Sequence, residues 1–322
     1  MMYRIIVLFL LLFVATTGWA QDYCFAQYYL DKAGISPALV AVGNRSEAGA
    51  AVRSQWPGVS GGYKICMAEY QHKLPAVSSG IGIRICGNLS GGGAYSATTA
   101  DIMYGYSFVV SPKIKCSLGI EAGYIGRKLH QDGLIYYSMI DPVTGSVGAL
   151  SEYVDNTSYG TIGFGTGGAL YTRRAMIALG FHHITNMVIV GENNYQPLMT
   201  TLLVNYKIPV GIQPRDGEQF LAPGIVCAHT RTSDMMMPGV SYYCNRLFLW
   251  AAYRIQKSVA NSNDVLIGIG FSFGNIEISV AHEIPTSSLV RQTAGAYEAG
   301  IKYKFNKTEK NTDGHTILCP AF

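Results

Sequence analysis

Apolar and polar residues alternate along most of the chain with the period of a strand. In 264–274, Val265, Ile267, Ile269, Phe271 and Phe273 share one face. Asp264, Gly268, Gly270, Ser272 and Gly274 share the other, where Leu266 is the one large apolar residue. Successive strand side chains point to opposite faces, whereas a helix would scatter these residues around its axis. The pattern recurs. Leu198, Thr200, Leu202, Val204, Tyr206 and Ile208 oppose Asn205 and Lys207. Ile114, Cys116, Leu118, Ile120, Ala122 and Tyr124 oppose Lys115, Ser117, Gly119, Glu121 and Gly123. Tyr297, Ala299, Ile301, Tyr303 and Phe305 oppose Glu298, Gly300, Lys302 and Lys304. Ile81, Ile83 and Ile85 oppose Gly82 and Arg84.

Such runs predict about fourteen strands, many near the ten residues that a tilted strand needs to cross a bilayer. The spans are 49–56, 63–72, 79–87, 95–110, 113–127, 159–171, 174–184, 198–209, 218–230, 234–244, 246–256, 264–274, 275–283 and 295–305. Turns rich in Gly, Pro, Asn and Asp fall between them, at Ser60–Gly62, Asn88–Gly93 and Pro214–Gly217. Segment 128–158 lacks clear alternation and is the expected functional outer loop. The expected organisation is a signal peptide over 1–20, a periplasmic or plugging segment over 21–48, a barrel over 49–305 and a tail over 306–322. An even strand count returns both ends to the periplasm.

Composition sharpens this picture. Only 14% of residues are charged, against about a quarter in typical soluble domains, while 37 are glycine and 22 tyrosine. After the first twenty residues no apolar run reaches the roughly 18 that a membrane helix requires. A soluble sandwich also alternates. Few charges, with tyrosines to form interfacial girdles, favour an all-β, transmembrane, up-and-down antiparallel barrel. Met1 to Arg4, an apolar core over 5–15 and small residues at Gly18 and Ala20 have the order of a secretory signal, with cleavage between Ala20 and Gln21. The formal net charge is +4, with cations scattered among acids, so no nucleic-acid surface is expected.

Candidate chemistry is sparse. The seven cysteines are widely spaced without a CxxC pair, and no metal site or cofactor is expected. Gly163-Phe164-Gly165-Thr166-Gly167-Gly168 satisfies GxGxxG, but strand pattern continues on both sides, so these read as glycines that relieve crowding inside a barrel. His182-His183, and His282 beside Glu283, are adjacent strand residues that alternation turns to opposite faces. No nucleophile, base and orienting group line up, and no enzyme is expected.

Taken in order, several short motifs resemble the PorP/SprF family of outer-membrane proteins, from the type IX secretion and gliding systems of Bacteroidota. Phe25-Ala26-Gln27-Tyr28 is similar to that family's opening Phe-Ser-Gln-Tyr, and Ser36-Pro37-Ala38 to its Asn-Pro-Ala. Arg53-Ser54-Gln55-Trp56-Pro57-Gly58 resembles its Arg-x-Gln-Trp-x-Gly, the most specific of the matches. His182-His183-Ile184-Thr185, Trp250 with Tyr253 and Arg254, Gly270-Phe271-Ser272-Phe273-Gly274-Asn275, Glu298 and the ending Cys319-Pro320-Ala321-Phe322 follow the family pattern. Ser279 to Glu283 departs from its Tyr-Ser-Tyr-Asp.

The resemblance implies an outer-membrane protein reached by Sec export. It implies a role in the export or surface attachment of secreted type IX cargo such as adhesins. It also implies contacts with other type IX components, with a periplasmic peptidoglycan-binding lipoprotein and with the lipid bilayer. The family-motif positions are then Gln27, Pro37, Arg53, Gln55, Trp56, Gly58, His183, Gly274, Asn275, Glu298, Cys319, Pro320 and Phe322. A passive porin or small-molecule transporter is the competing expectation, because polar lumen faces suit both. A soluble adhesin sandwich is the third, and the apolar outward faces count against it.

Overall fold

The computed structural model describes residues 25–130, 139–141, 144, 146–148, 157–190, 196–210, 219–257, 262–287 and 290–305. Fourteen strands form the wall: β1 (Glu47–Gln55), β2 (Tyr63–Leu74), β3 (Ser79–Ser90), β4 (Tyr95–Ser111), β5 (Ile114–Leu129), β6 (Thr157–Tyr171) and β7 (Ala175–Val190). Then come β8 (Met199–Tyr206, resumed at Ile208–Pro209), β9 (Gln219–Thr230), β10 (Asp234–Cys244), β11 (Leu247–Lys257), β12 (Ser262–Phe273), β13 (Ile276–Pro285) and β14 (Ala296–Lys304). Each pairs antiparallel with its sequence neighbours, and β14 pairs with β1, so the sheet closes without an edge. Closure pairs each strand on both sides within the wall, which is what a strand needs in hydrocarbon.

Each expected strand has its counterpart here, and β10 matches residue for residue. The largest departure is β7, which runs on to Val190 rather than ending at 184. Its apolar end pairs with Gly160–Phe164 of β6 across two register shifts. Period-2 reading loses a strand at such irregularities, because a bulge changes which face the following residues occupy. Most of 128–158 lies outside the described residues, though an isolated bridge joins Ile140 to Val147.

The two faces of the wall differ as alternation requires. Ile81, Ile83, Ile85, Ile102, Leu118, Ile120, Ile267, Phe271 and Ile301 point outward and are exposed, an apolar band against lipid. Arg53, Glu69, Gln71, Lys73, Asp101, Glu121, Arg254, Glu283, Glu298 and Lys302 point inward and are buried. Five of the six connections at one end are short, at 75–78, 112–113, 172–174, 245–246 and 274–275, the sixth being 210–218. At the other end lie 130–156 and 286–295. Outer-membrane barrels keep short turns in the periplasm, so β1 starts and β14 ends on the periplasmic side. Gly274, with φ of +61°, turns the two-residue link between β12 and β13, a conformation that glycine adopts without strain.

Candidate functional site: a lumen filled by the N-terminal segment

Residues 25–42 stand inside the barrel. They begin in its outer half, beside Glu298, and descend to the periplasmic end, where β1 starts. The segment is a succession of single turns: Tyr28–Leu30, α1 (Lys32–Ile35) and Pro37–Ala41. Asp31 caps α1 by accepting from Gly34 N at 3.2 Å. Ser36 caps the next turn by accepting from Ala38 N at 3.3 Å, and Pro37 opens that turn, where its missing N–H costs nothing.

Turns this short leave many backbone groups without partners of their own, and a buried polar group must find one. The wall supplies them from side chains. Glu298 accepts from Ala26 N at 2.8 Å and Gln27 N at 3.1 Å. Glu69 accepts from Ala33 N at 3.2 Å. Lys302 donates to Tyr29 O at 2.5 Å, and Lys73 donates to Val40 O at 2.5 Å and Val42 O at 2.7 Å. Ser117 donates to Ala38 O at 2.8 Å, and Thr201 donates to Ile35 O. In the other direction, Ser36 donates to Leu179 O at 2.9 Å.

Ion pairs complete the seat. Arg84 holds Asp31 through two nitrogens, at 2.6 and 2.9 Å, and reaches Asp101 at 3.2 Å. Lys32 meets Glu47 at 2.9 Å. Arg53 bridges Glu298 at 2.5 Å and Glu283 at 2.9 Å, and Arg254 meets Glu283 at 2.6 Å. Glu121 pairs with His182 at 3.0 Å. Buried charges are tolerated when each has a partner and its hydrogen bonds, as here.

The expected positions sort into groups. Gln27, Arg53, Gln55 and Glu298 converge. Gln27 is fully buried, its backbone is held by Glu298, and its side chain accepts from Tyr29 OH at 2.7 Å. Arg53 donates to Gln55 at 3.2 Å. Trp56 and Gly58 instead join the outer end of β1 to the segment before β14. Trp56 N donates to Gly295 O at 2.7 Å and Gly58 N to Thr293 O at 3.2 Å, and a Cβ on Gly58 would collide with Gln292 O. Pro37 lies on β5, where Gly119 leaves room for it. Gly274 and Asn275 sit apart at the periplasmic rim, where Asn275 O accepts from Lys304 N at 2.8 Å. Ala20, Gln21, Cys319, Pro320 and Phe322 lie outside the described residues.

His183 corrects the alternation rule. Residues 182–184 bulge against β6, His183 adopts φ of +59°, and both histidines line one lumen cavity. His282 and Glu283 do face opposite ways. His282 stacks on Tyr297 outside at 4.4 Å, while Glu283 joins the buried cluster inside. In the glycine-rich run, a Cβ on Gly167 would strike Ser36, so the crowding relieved there is that of the inserted segment. Sequence reasoning did not single out Asp31, Glu69 and Lys73, and it placed Arg84, Glu121 and Lys302 on polar strand faces without making them site residues. The signal that marks them is an ionisable residue at an inward position of a membrane strand, or one facing it. Among the described residues no three His, Cys, Asp or Glu side chains gather as metal ligands.

The fold has solved relatives by shape. The Ralstonia pickettii toluene transporter TbuX superposes with a TM-score of 0.50 at 10% identity, over 91% of this chain and 97% of that one. The Pseudomonas putida toluene transporter TodX does so with 0.50 at 12%, over 85% and 93%. At such identities the likeness is one of fold. Comparison with curated proteins finds no match. The sequence profile of the type IX secretion system membrane protein PorP/SprF matches residues 18–303, and the chain belongs to that family.

Proposed function

We propose that this chain is a closed, non-enzymatic outer-membrane component of type IX secretion that supports the export or surface attachment of secreted proteins bearing the system's C-terminal signal, adhesins among them. The observation that carries this reading is the seated segment 25–42. A diffusion pore needs a continuous wet path. Here an irregular chain occupies the lumen, with its backbone groups taken up by wall side chains. What remains to do work is the two rims.

In this reading the outer loops, 128–158 foremost, meet the exported cargo. The periplasmic turns and residues 306–322 meet other type IX components, including a peptidoglycan-binding lipoprotein. Residues 1–20 direct Sec export and are removed between Ala20 and Gln21, in a Bacteroidota-type envelope. Deleting the gene and quantifying the surface and medium proteomes tests it. Loss of one or several exported proteins from the surface is the expected result, and those proteins name the partner. An unchanged exported proteome with reduced solute uptake would replace this reading with the transporter one.

A further inference from the structure

Above the seated segment the lumen keeps a cavity of about 120 Å³ toward the outer mouth. Phe25 and Tyr28 form part of its floor. The inward faces of β3, β4, β5, β7, β8 and β9 form its wall. Its deeper end holds the carboxylates of Asp31, Asp101 and Glu121. Those three are occupied, by Arg84 and by His182.

Nearer the mouth stands Arg127, half-buried on the inward face of β5, close to the strand's outer end at Leu129. The inward cations Arg53, Arg84, Arg254, Lys73 and Lys302 are each committed to a carboxylate or a backbone carbonyl. The Arg127 side chain has no hydrogen bond or ion pair to any described residue. Asn88, Tyr95, Thr99, His183 and Gln196 share its part of the cavity. The buried hydroxyl of Thr99 has no partner among the described residues.

We propose that this cavity binds a single carboxylate group of an exported polypeptide, anchored by Arg127. A guanidinium presents two parallel N–H groups that match a carboxylate, and the match strengthens where water is scarce. One uncommitted cation balances a monoanion and leaves a phosphate dianion under-neutralised. The volume admits a chain end or one side chain and excludes a folded domain. The inference rests on the secretion reading only for the source of the ligand; the chemistry of the site stands on its own geometry.

The test uses purified full-length protein in lipid nanodiscs and three probe peptides, with binding read by titration calorimetry. The probes are acetylated trialanine with a free terminal carboxylate, the same peptide amidated, and acetylated Ala-Asp-Ala amide. Binding of the free-terminus probe, at least about tenfold stronger than that of the neutral amide, is expected for a chain end. The same preference for the aspartate probe assigns the site to an acidic side chain and equally upholds a carboxylate site. Arg127→Gln should remove the preference and Arg127→Lys should keep part of it, with heat-modifiable gel migration reporting that each barrel is folded. Equal affinity for all three probes, absence of binding at millimolar concentrations, or an Arg127→Gln protein that still prefers carboxylates overturns the proposal. These results are read on isolated protein, so their failure is distinct from an unchanged proteome after gene deletion.

Discussion

The inner wall is filled in two different ways. Along β3 to β7 it is cut back between inward side chains such as Arg84, Asp101, Glu121 and His182: Gly80, Gly82, Gly105, Gly119, Gly167 and Gly180 face the lumen, and a Cβ on any of them would press into the seated segment. At Gly80, Gly119 and Gly180 the obstacle is backbone, which cannot step aside. Along β9 to β12 the wall supplies its own filling. Phe220, Met235, Met237, Phe248, Trp250 and Leu266 are buried there. Phe220 stacks on Tyr243 at 4.4 Å, Tyr243 on Phe248 at 5.4 Å, and Tyr29 of the inserted segment meets Phe248 edge-on at 5.7 Å. Even the glycines differ in purpose, since Gly268 and Gly270 make room for Trp250 and Phe248 rather than for the inserted chain. A barrel this wide has to be filled, and one half fills it with backbone while the other uses aromatic side chains. The cut-back half is shaped for one particular segment; the furnished half is an ordinary packed core.

The sharpest way to break this comparison is Gly119→Val. Its side chain would occupy the place of Pro37 and Ala38. The expected outcome is an unseated segment and a barrel that conducts ions in planar bilayers, where the parent protein is silent. A silent Gly119→Val protein with its segment still protected from protease would show that the cut-back wall is not a fitted seat. Next in size is Arg53→Met. It leaves Glu298 buried with its guanidinium partner gone, and breaking a buried pair in this way costs about 3–5 kcal/mol. Denaturant unfolding in vesicles, followed by tryptophan fluorescence, measures the loss. On the furnished side, Phe248→Ala should cost about 3 kcal/mol through the cavity that it opens. It should leave the lumen closed, because it removes only the Tyr29 contact, while residues 35–41 of the segment rest on the glycines of β3 to β7. Conductance from Phe248→Ala would erase the distinction between the two halves.

Much of the wall was legible in the sequence because lipid enforces alternation residue by residue, and strand limits follow wherever that alternation stops. The seat was not. Residues 25–42 form single turns without a period, so nothing local separates a plug from a leader that lies across the mouth. The partners in the Arg53 cluster come from β1, β11, β13 and β14, and only closure of the sheet makes them neighbours. Glu283 could be excluded as a partner of His282 by face alone, but its real partners could not be named. The glycines at 163–168 were legible as small residues in a strand. What Gly167 makes room for lies more than a hundred positions away, at Ser36 and Pro37, while Gly165 clears Phe181 O and Glu121.

The smallest expected effect comes from a pair that resembles the buried ones in composition. At the periplasmic rim Lys304 meets Glu277 at 2.6 Å, and each side chain keeps about a fifth of its surface exposed (23% and 18%). Glu277 also accepts from Ser272 at 3.1 Å, so it keeps a hydrogen bond if the lysine is lost. Water and counterions screen such a pair, with a Debye length of about 8 Å at physiological salt. Exposed pairs contribute about 0.2–1 kcal/mol. Lys304→Gln should therefore shift the unfolding midpoint slightly, and the shift should shrink further as salt is raised. Arg53→Met, screened by neither, should keep its full effect across the same salt series. A loss for Lys304→Gln that equals that of Arg53→Met and resists salt would mean that the rim is as dry as the lumen. The seated segment would then close the barrel as far down as its last turn.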